Sequence, residues 1–213
     1  MESTVCPVPA GTRLIETFAW RPEGIARLDL HLERLKRSAR ALGFEYDPER
    51  VAEAIDALGG EGALRCRLTL GAAGDVEITT AALPEASAQW SVRIAPERLR
   101  SEDALLRHKT TRREVYDRWR ADLPDGVQEW LFLNERDELC EGTICNVVLT
   151  MPDGARLTPA LTSGCLPGVY RQSLLDAGAV QEAVLTVDDL RSARRIVLTN
   201  ALRGEVGAVL SDV

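Results

Sequence analysis

The sequence contains very little lysine. Of its 26 basic residues only Lys36 and Lys109 are lysines, which leaves 24 arginines (26 − 2). Lysine alone among the permanently basic side chains offers a titratable primary amine, so each of the two raises the question of whether its amine is used. Lys36 lies in HLERLKRSARALG, whose amphipathic helical pattern predicts a solvated charge. Lys109 lies in RHKTTRREVYD, outside any such pattern, and is the candidate for amine chemistry.

Long apolar runs and paired cysteine motifs are also missing. No stretch approaches the roughly 20 apolar residues that cross a bilayer, and the start, MESTVCPVPAG, has neither the basic region nor the apolar run of a signal peptide. The cysteines are odd in number, irregularly spaced and without a CxxC pair, so neither a disulfide framework nor a metal site is indicated. We therefore expect a cytoplasmic protein without metal or membrane, with reduced thiols at Cys6, Cys66, Cys140, Cys145 and Cys165.

Basic charge is not in excess either. The net charge of −7 argues against nucleic acid or an anionic membrane as a partner held by bulk attraction. An anionic ligand would instead require arginines gathered at one place. The 213 residues, 45% of them hydrophobic and 28% charged, fit an ordinary globular protein with one large domain or two small ones.

The first half of the chain predicts both helices and strands. A strand at 12–20 precedes a helix that Asp29 caps and Gly43 ends, with a buried stripe of Leu32, Leu35, Ala39 and Leu42. A second helix starts at Pro48. A hairpin and one further strand follow, and the charged segment PERLRSEDALLRHKT is the predicted linker.

The second half predicts mostly strands. A helix in RREVYDRWRADL precedes four strands, and a helix from about Pro167 to Ala177, started by Thr162 or Ser163, comes next. A strand at 179–185, a short helix and two strands complete the chain. Helices set among mostly antiparallel strands indicate an α+β fold in two lobes.

A glycine-bearing turn, TSGCLPGVYRQ, runs into the start of the last long helix. Gly164 and Gly168 permit close backbone approach, and Pro167 suits a first helical turn. The amides of Val169 and Tyr170 would then face an anion at the positive end of the helix dipole. The alternative is a plain capped helix.

An arginine and a glutamate are placed to complete an anion-binding and charge-holding set. Arg34 lies with His31 and Ser38 beside the apolar stripe of the first helix, from where its guanidinium could bind a phosphate bidentately. Glu141 ends a short strand in ELCEGTICNVVL, where it could face a pocket. The alternatives are a surface arginine, a core histidine and a turn glutamate. A lysine amine, phosphate donors and a carboxylate for a ring nitrogen are what pyridoxal 5'-phosphate (PLP) requires.

Five segments together resemble one family. HLERLKRSARALGF, HKTTRREVYD, ELCEGTICNVVLT, TSGCLPGVYR and LTNALRG occur in the order and at roughly the spacing found in fold-type IV PLP enzymes. That family includes branched-chain and D-amino-acid aminotransferases and 4-amino-4-deoxychorismate lyase. HKTTRREVYD and TNALRG look most like the lyase branch. The resemblance extends from about Leu14 to Val209.

The resemblance implies a role for each matching residue. Lys109 corresponds to the lysine that binds PLP as a Schiff base, and Glu141 to the carboxylate that faces the pyridine nitrogen. The residues that correspond to phosphate-binding positions are Arg34, Val169, Tyr170, Asn200 and Ala201. The implied fold has a smaller N-terminal α/β lobe, residues 1–103, and a larger C-terminal lobe with a barrel-like sheet, residues 104–213. The cofactor lies between the lobes in the family, whose members are typically homodimers.

Two departures from the family pattern are visible. The chain starts near LIETF, without the leading strands and the glycine-rich turn usual in the family, so the outer wall of the substrate pocket is expected to be reduced or built differently. Arg112 stands where many members have asparagine.

Three functions remain open. The first is conversion of 4-amino-4-deoxychorismate, a small anionic amine with two carboxylates, to 4-aminobenzoate and pyruvate. For it Arg203, then Arg112 and Arg107, are the substrate-binding candidates. If residues 109–116 are helical, Tyr116 shares a face with Lys109 and could touch the cofactor; the alternative is a packed helix tyrosine. The second is an aminotransferase acting on a branched-chain or other apolar amino acid. The third is a PLP-binding interaction module without catalysis.

Overall fold

The computed structural model describes residues 8–60, 62–85 and 89–211. The chain forms two compact units. The first unit comprises Met1–Glu85 and His108–Arg112, and the second comprises Ala86–Arg107 and Arg113–Val213. A division at residue 103, as the resemblance implies, would separate strand Gln89–Leu99 from the sheet in which it pairs.

The first unit is built on a four-stranded antiparallel sheet. Its strands, in the spatial order β2-β1-β3-β4, are β1 (Leu14–Arg21), β2 (Gly24–Ile25), β3 (Leu64–Leu70) and β4 (Val76–Ala82). The predicted hairpin is confirmed as β3 and β4, in which Leu70 pairs with Val76. Gly74 adopts a φ of 75° in its turn, a left-handed conformation that favours glycine.

Two helices, α1 (Leu28–Leu42) and α2 (Pro48–Asp56), belong to the first unit. The predicted stripe of α1 is confirmed at Leu35, Ala39 and Leu42, which are buried, whereas Leu32 is half-buried. Gly43 ends the helix with a φ of 73°. The predicted start was wrong. Asp29 lies within the first turn, and the N-cap position is Arg27, which adopts a left-handed φ of 58°.

The segment His108–Arg112 pairs with the start of β1 rather than serving as a free linker. Lys109 O accepts a hydrogen bond of 2.7 Å from Ile15 N, and Thr111 N donates one of 2.9 Å to Arg13 O. The rest of the predicted linker is also structured, because the strand of residues 89–99 runs into it and a 3-10 helix spans Ala104–Arg107. The many charged residues of PERLRSEDALLRHKT had indicated an exposed segment, but they gave no sign that its backbone pairs with strands.

The second unit contains an eight-stranded curled sheet in the spatial order β10-β9-β8-β11-β12-β5-β6-β7. Its strands are β5 (Gln89–Leu99), β6 (Glu129–Asn134), β7 (Leu139–Gly142), β8 (Asn146–Thr150), β9 (Arg156–Pro159), β10 (Gln181–Ala183), β11 (Arg195–Asn200) and β12 (Gly204–Leu210). Strand β5 pairs in parallel with both β12 and β6. Together with the helices α3 (Glu114–Ala121), α4 (Val169–Asp176) and α5 (Val187–Ser192), this sheet confirms the α+β fold with a barrel-like lobe.

The core of the second unit lies against this sheet. Val92, Leu131, Leu133, Val147 and Leu198 are among its fully buried members. Their alternation with residues of the other sheet face follows from the two-residue period of a strand. The burial fixes the positions of the strand ends that carry the candidate site residues.

Four cysteines, Cys66, Cys140, Cys145 and Cys165, are free and buried, whereas Cys6 lies outside the described residues. Among the described helices none is long and apolar enough to span a membrane. Over the same residues no group of three or more His, Cys, Asp or Glu side chains is arranged to hold a metal ion.

Candidate functional site

Lys109 is held by its backbone at the edge of β1 in the first unit, and its side chain is half-buried. Its neighbour His108 lies with Nδ1 at 3.0 Å from Ser38 Oγ, one helical turn along α1 from Arg34. In the first unit, both the segment that contains Lys109 and the polar side chains of α1 therefore lie against β1. Lys109 and Tyr116 do not share a helical face, since the helix that this would require is absent there: Lys109 pairs with a strand and α3 begins only at Glu114.

Arg34 is buried and paired with an acid on β1. Its Nε donates to Glu16 Oε1 at 2.8 Å and its Nη2 to Glu16 Oε2 at 2.6 Å. His31 Nδ1 lies 2.5 Å from the same Oε2. With 5% of its surface exposed, Arg34 is not a surface arginine. Glu16 uses two of the five guanidinium N–H groups and fixes the plane of the remainder.

The Glu16 carboxylate is ionised in this setting. Burial alone would raise its pKa, but the charge of Arg34 and the hydrogen bonds from His31 and Arg34 outweigh burial and lower the pKa to about 2. His31 is 1% exposed and its Nε2 has no hydrogen-bond partner among the described residues. It is therefore a core histidine that is satisfied at one ring nitrogen only.

Glu141, in β7 of the second unit, is a buried acceptor rather than a solvated turn residue. Its Oε1 accepts a hydrogen bond of 2.7 Å from the Tyr116 hydroxyl. Its Oε2 accepts from Leu166 N at 3.1 Å and from Asn146 Nδ2 at 3.4 Å. A side chain 6% exposed with donors at both oxygens has a fixed orientation.

Helix α4 starts where the glycine-bearing turn indicates, but not through the predicted cap. Gly168 is the N-cap residue, and no side chain of the described chain caps the helix. Thr162 and Ser163, the predicted starting residues, lie in a short 3-10 helix, Leu161–Ser163. The first turn of α4 contains Val169, which is buried, and Tyr170, which is half-buried. The first N–H groups of a helix have no partner within the helix itself, which is the property that anion binding at a helix start uses.

Gly168 is also required by a direct neighbour. A Cβ atom at this position would lie 1.9 Å from Asn146 Oδ1. Since Asn146 bonds to Glu141, the glycine permits the approach that links the α4 turn to the carboxylate. The close approach predicted for Gly168 is thus to a side chain.

The two segments expected to face phosphate lie side by side in the second unit. Asn200 Oδ1 accepts hydrogen bonds from Leu202 N at 3.1 Å and Arg203 N at 2.9 Å, which shapes the turn that contains Ala201. A Cβ atom on Gly204 would lie 3.5 Å from the ring of Tyr170. The end of this turn therefore packs against the first turn of α4.

The substrate-binding candidates occupy three different settings. The Arg203 guanidinium stacks over the Trp90 ring, 5.3 Å from its centroid. Arg107 ends the 3-10 helix and Arg112 belongs to the segment paired with β1, and both are exposed. Tyr116 bonds to Glu141.

Sequence reasoning missed two buried acids. Glu16 lies in LIETFAW on the same strand face as Leu14 and Phe18, so an acid at an apolar position was the available signal. Glu129 opens the apolar strand β6 and is fully buried. It accepts hydrogen bonds from Thr143 N at 3.0 Å and Ile144 N at 3.2 Å, and burial raises its pKa. Glu129 thereby holds the turn that follows Glu141.

Comparisons with known proteins identify the family and the fold. The family Amino-transferase class IV matches residues 13–209. A Schizosaccharomyces pombe protein provisionally named aminodeoxychorismate lyase is 28% identical over 211 residues, covering 93% of this chain and 90% of that protein. A solved structure from Mesorhizobium loti, provisionally named an amino-acid aminotransferase, is 44% identical with a TM-score of 0.90, covering 94% of this chain and 100% of that one.

The fold is shared more widely. The structure of 4-amino-4-deoxychorismate lyase from Pseudomonas aeruginosa has a TM-score of 0.80 at 22% identity, covering 98% of this chain and 88% of that one. Since the family match spans nearly the whole chain, the implied resemblance is confirmed at the level of the family. The chain belongs to the amino-transferase class IV family of PLP-dependent enzymes.

Proposed function

We propose that this protein is a lyase that uses PLP to convert 4-amino-4-deoxychorismate to 4-aminobenzoate and pyruvate. The geometric observation that supports PLP is the buried, doubly hydrogen-bonded carboxylate of Glu141. The lyase activity is supported by the Schizosaccharomyces pombe relative, which is similar over 93% of this chain.

The residues fit the chemical requirements of PLP one by one. When bound, PLP supplies an electron sink for negative charge that develops on a substrate carbon. Glu141, buried and oriented by its hydrogen bonds, would hold the proton on the pyridine nitrogen. The amides of Val169 and Tyr170 at the start of α4 and the Asn200–Ala201 turn would bind the phosphate. Arg34 would supply a guanidinium to the same group. Lys109 supplies the amine that holds the cofactor before substrate arrives.

Lys109 also moves the proton in the proposed reaction. With substrate bound, the Lys109 amine would act as the base that removes the proton at C4 of aminodeoxychorismate. The bond from the ring to the enolpyruvyl oxygen then breaks, and the ring becomes aromatic. The proton taken from C4 returns to the departing enolpyruvate, which becomes pyruvate, so that atoms and charge balance. Arg203 is the first candidate to bind a substrate carboxylate.

A second function is favoured by one specific observation. The Mesorhizobium loti structure with 44% identity bears an amino-acid aminotransferase name. An aminotransferase would use the same cofactor residues but needs only one carboxylate-binding group and an apolar side-chain pocket. The same residues therefore serve both reactions, and the difference lies in what surrounds the substrate.

A product assay distinguishes these functions. Purified protein loaded with PLP is given aminodeoxychorismate in one reaction and leucine with 2-oxoglutarate in another. We expect 4-aminobenzoate and pyruvate in equal amounts from the first. Glutamate from the second without aminobenzoate from the first would replace the lyase with the aminotransferase. A coloured protein that turns over neither substrate would identify a PLP-binding module.

A further inference from the structure

Two arginines on one face of helix α3 contact the short turn that follows β7. The N-cap residue Arg113 and the helix residues Tyr116 and Arg120 are spaced three and four apart, so they share a face. Arg113 Nη2 donates to Thr143 O at 2.8 Å, and Arg120 Nη1 donates to Thr143 Oγ1 at 3.1 Å. The two arginines therefore hold the turn that follows β7 by its backbone and by a threonine hydroxyl.

Tyr116 differs from these two arginines because it bonds to a side chain of the proposed site. Its hydroxyl donates to Glu141 Oε1 at 2.7 Å. Its ring is held edge-on against Phe132, with the centroids 5.3 Å apart, and the Arg113 guanidinium lies 5.5 Å from the ring centroid. The packing of the Tyr116 ring thus fixes its hydroxyl next to Glu141 Oε1.

The proton of this hydrogen bond stays on the tyrosine. Burial, and then the negative charge of Glu141, raise the pKa of Tyr116 well above its usual range. At the pH values at which enzymes work, Tyr116 is therefore a donor and Glu141 the acceptor. A donor to a carboxylate favours its ionised form over its protonated form.

The other carboxylate oxygen of Glu141, Oε2, accepts hydrogen bonds from other elements. Leu166 N and Asn146 Nδ2 approach Oε2, from the turn before α4 and from the start of β8. Tyr116 is the donor that α3 contributes, on the other side of the carboxylate. Removal of its hydroxyl would leave the Oε2 contacts in place but would allow the carboxylate to rotate and to take up a proton more easily.

We propose that Tyr116 is a positioning residue that acts on bound PLP through Glu141: its hydroxyl keeps the Glu141 carboxylate ionised and oriented so that the pyridine nitrogen stays protonated. This inference depends on the proposed use of PLP. In this inference Tyr116 does not touch substrate or cofactor, as the sequence had suggested, but acts on the cofactor through Glu141. Its consequence is measurable at the ring nitrogen, whichever amine the enzyme converts.

The test compares the wild type with Tyr116→Phe, both reconstituted with PLP labelled with ¹⁵N in the ring. The ¹⁵N chemical shift reports the protonation of the nitrogen directly. We expect a protonated nitrogen at neutral pH in the wild type. In the variant the pH at which the nitrogen loses its proton should fall by about one unit. The value of kcat should fall roughly tenfold with KM changed less than about twofold. Tyr46→Phe, in the first unit, is the control and should behave as the wild type.

A double-variant comparison separates the indirect role from a direct contact. In a Glu141→Gln background, Tyr116→Phe should cause no further change in the ¹⁵N shift, because the group through which it acts is gone. An additional change of the same size as in the wild type would overturn the inference, as would an unchanged shift in the single variant. A rise in KM with an unchanged nitrogen would assign Tyr116 to the substrate.

Two safeguards keep the outcome interpretable. Should Tyr116→Phe fail to fold, as judged by its melting curve, Tyr116→Met also lacks the hydroxyl and should give the same shift. If wild-type protein gains no PLP absorbance, the proposed function itself fails. If it binds PLP with a protonated nitrogen that neither variant alters, only the role of Tyr116 fails.

Discussion

Glu16 and Arg34 form a bidentate ion pair inside the first unit, with Nε–Oε1 and Nη2–Oε2 distances of 2.8 and 2.6 Å. His31 adds a third polar contact to the same carboxylate, and its ring lies edge-on to Phe18 with the centroids 5.6 Å apart. A strand thereby sets the orientation of an arginine on the adjacent helix. Glu16 is consequently both a stability determinant and a means of directing Arg34.

The stability contributed by Glu16 should depend on pH in a defined direction. Its pKa is about 2 in the folded chain, against an ordinary 4.5. Its contribution is therefore fully present above about pH 4.5 and is lost as the pH falls towards 2, amounting to about 3 kcal/mol in total. Urea unfolding of the wild type and of Glu16→Gln should differ by several kcal/mol at pH 7, with a gap that narrows below pH 4.5. A gap independent of pH would contradict the assignment. Glu33→Gln, on the exposed side of α1, is the control.

Arg34→Lys should weaken binding of PLP about tenfold or more, because an ammonium cannot bind a phosphate and Glu16 in the same bidentate manner. Binding of pyridoxal, which has no phosphate, should hardly change. Equilibrium titrations of both ligands measure the two affinities. Equal losses for PLP and pyridoxal would show that Arg34 acts on the fold and not on the phosphate. The exposed Arg37→Lys on the same helix should leave both affinities unaltered.

Lys109→Ala should abolish the absorbance band of PLP covalently attached to the protein, since the amine that forms the linkage is removed. Lys36, exposed on α1, provides the matched control, and Lys36→Ala should retain the band. Absorbance spectra of the two reconstituted proteins, together with borohydride reduction and mass analysis, locate the attachment. A surviving band in Lys109→Ala would remove Lys109 from the proposed mechanism.

Gly168→Ala should destabilise the protein by roughly 1–3 kcal/mol, because the added methyl group overlaps Asn146 Oδ1 and must displace it. Displacement of Asn146 also takes a donor from Glu141, so PLP binding should weaken with stability. Gly59→Ala is the control, since nothing lies within 4 Å of its Cβ position. Thermal unfolding and PLP titration measure both effects. Equal melting temperatures for the two variants would argue against the close approach.

Local patterns predicted most individual elements of this fold. The stripe of α1 and the hairpin of β3 and β4 follow from periodicity and turn residues within each segment. Periodicity does not state which sheet a strand joins, so the placement of β5 in the second unit could not be derived from WSVRIAP. Its partners β12 and β6 are distant in sequence, and their pairing is a property of the folded chain.

Candidate site residues were predicted more readily than their partners. The acid of LIETFAW stood out only as a charge on an apolar strand face, and nothing local connects Glu16 with Arg34, 18 residues later. Gly168 was recognised as a point of close approach, whereas its neighbour Asn146 lies 22 residues earlier (168 − 146) and on another element. A place for Tyr116 beside the cofactor depended on residues 109–116 being helical. Residues 108–112 instead pair with β1 in an extended conformation, so this stretch is not helical.

Strand β12 lies between β11 and β5, and within the described strands it is the member that joins β5, β6 and β7 to the other half of the sheet. The paired residues Gln89 and Gly207 are 118 positions apart (207 − 89). During synthesis β5 therefore leaves the ribosome long before β12, one of its two parallel partners, exists. Until β12 emerges, the open edges of β5 and β11 can pair with other chains. The nascent protein is thus most prone to aggregation after β5 and β11 have emerged and before β12 has, and chaperone binding to these edges would matter most in that interval.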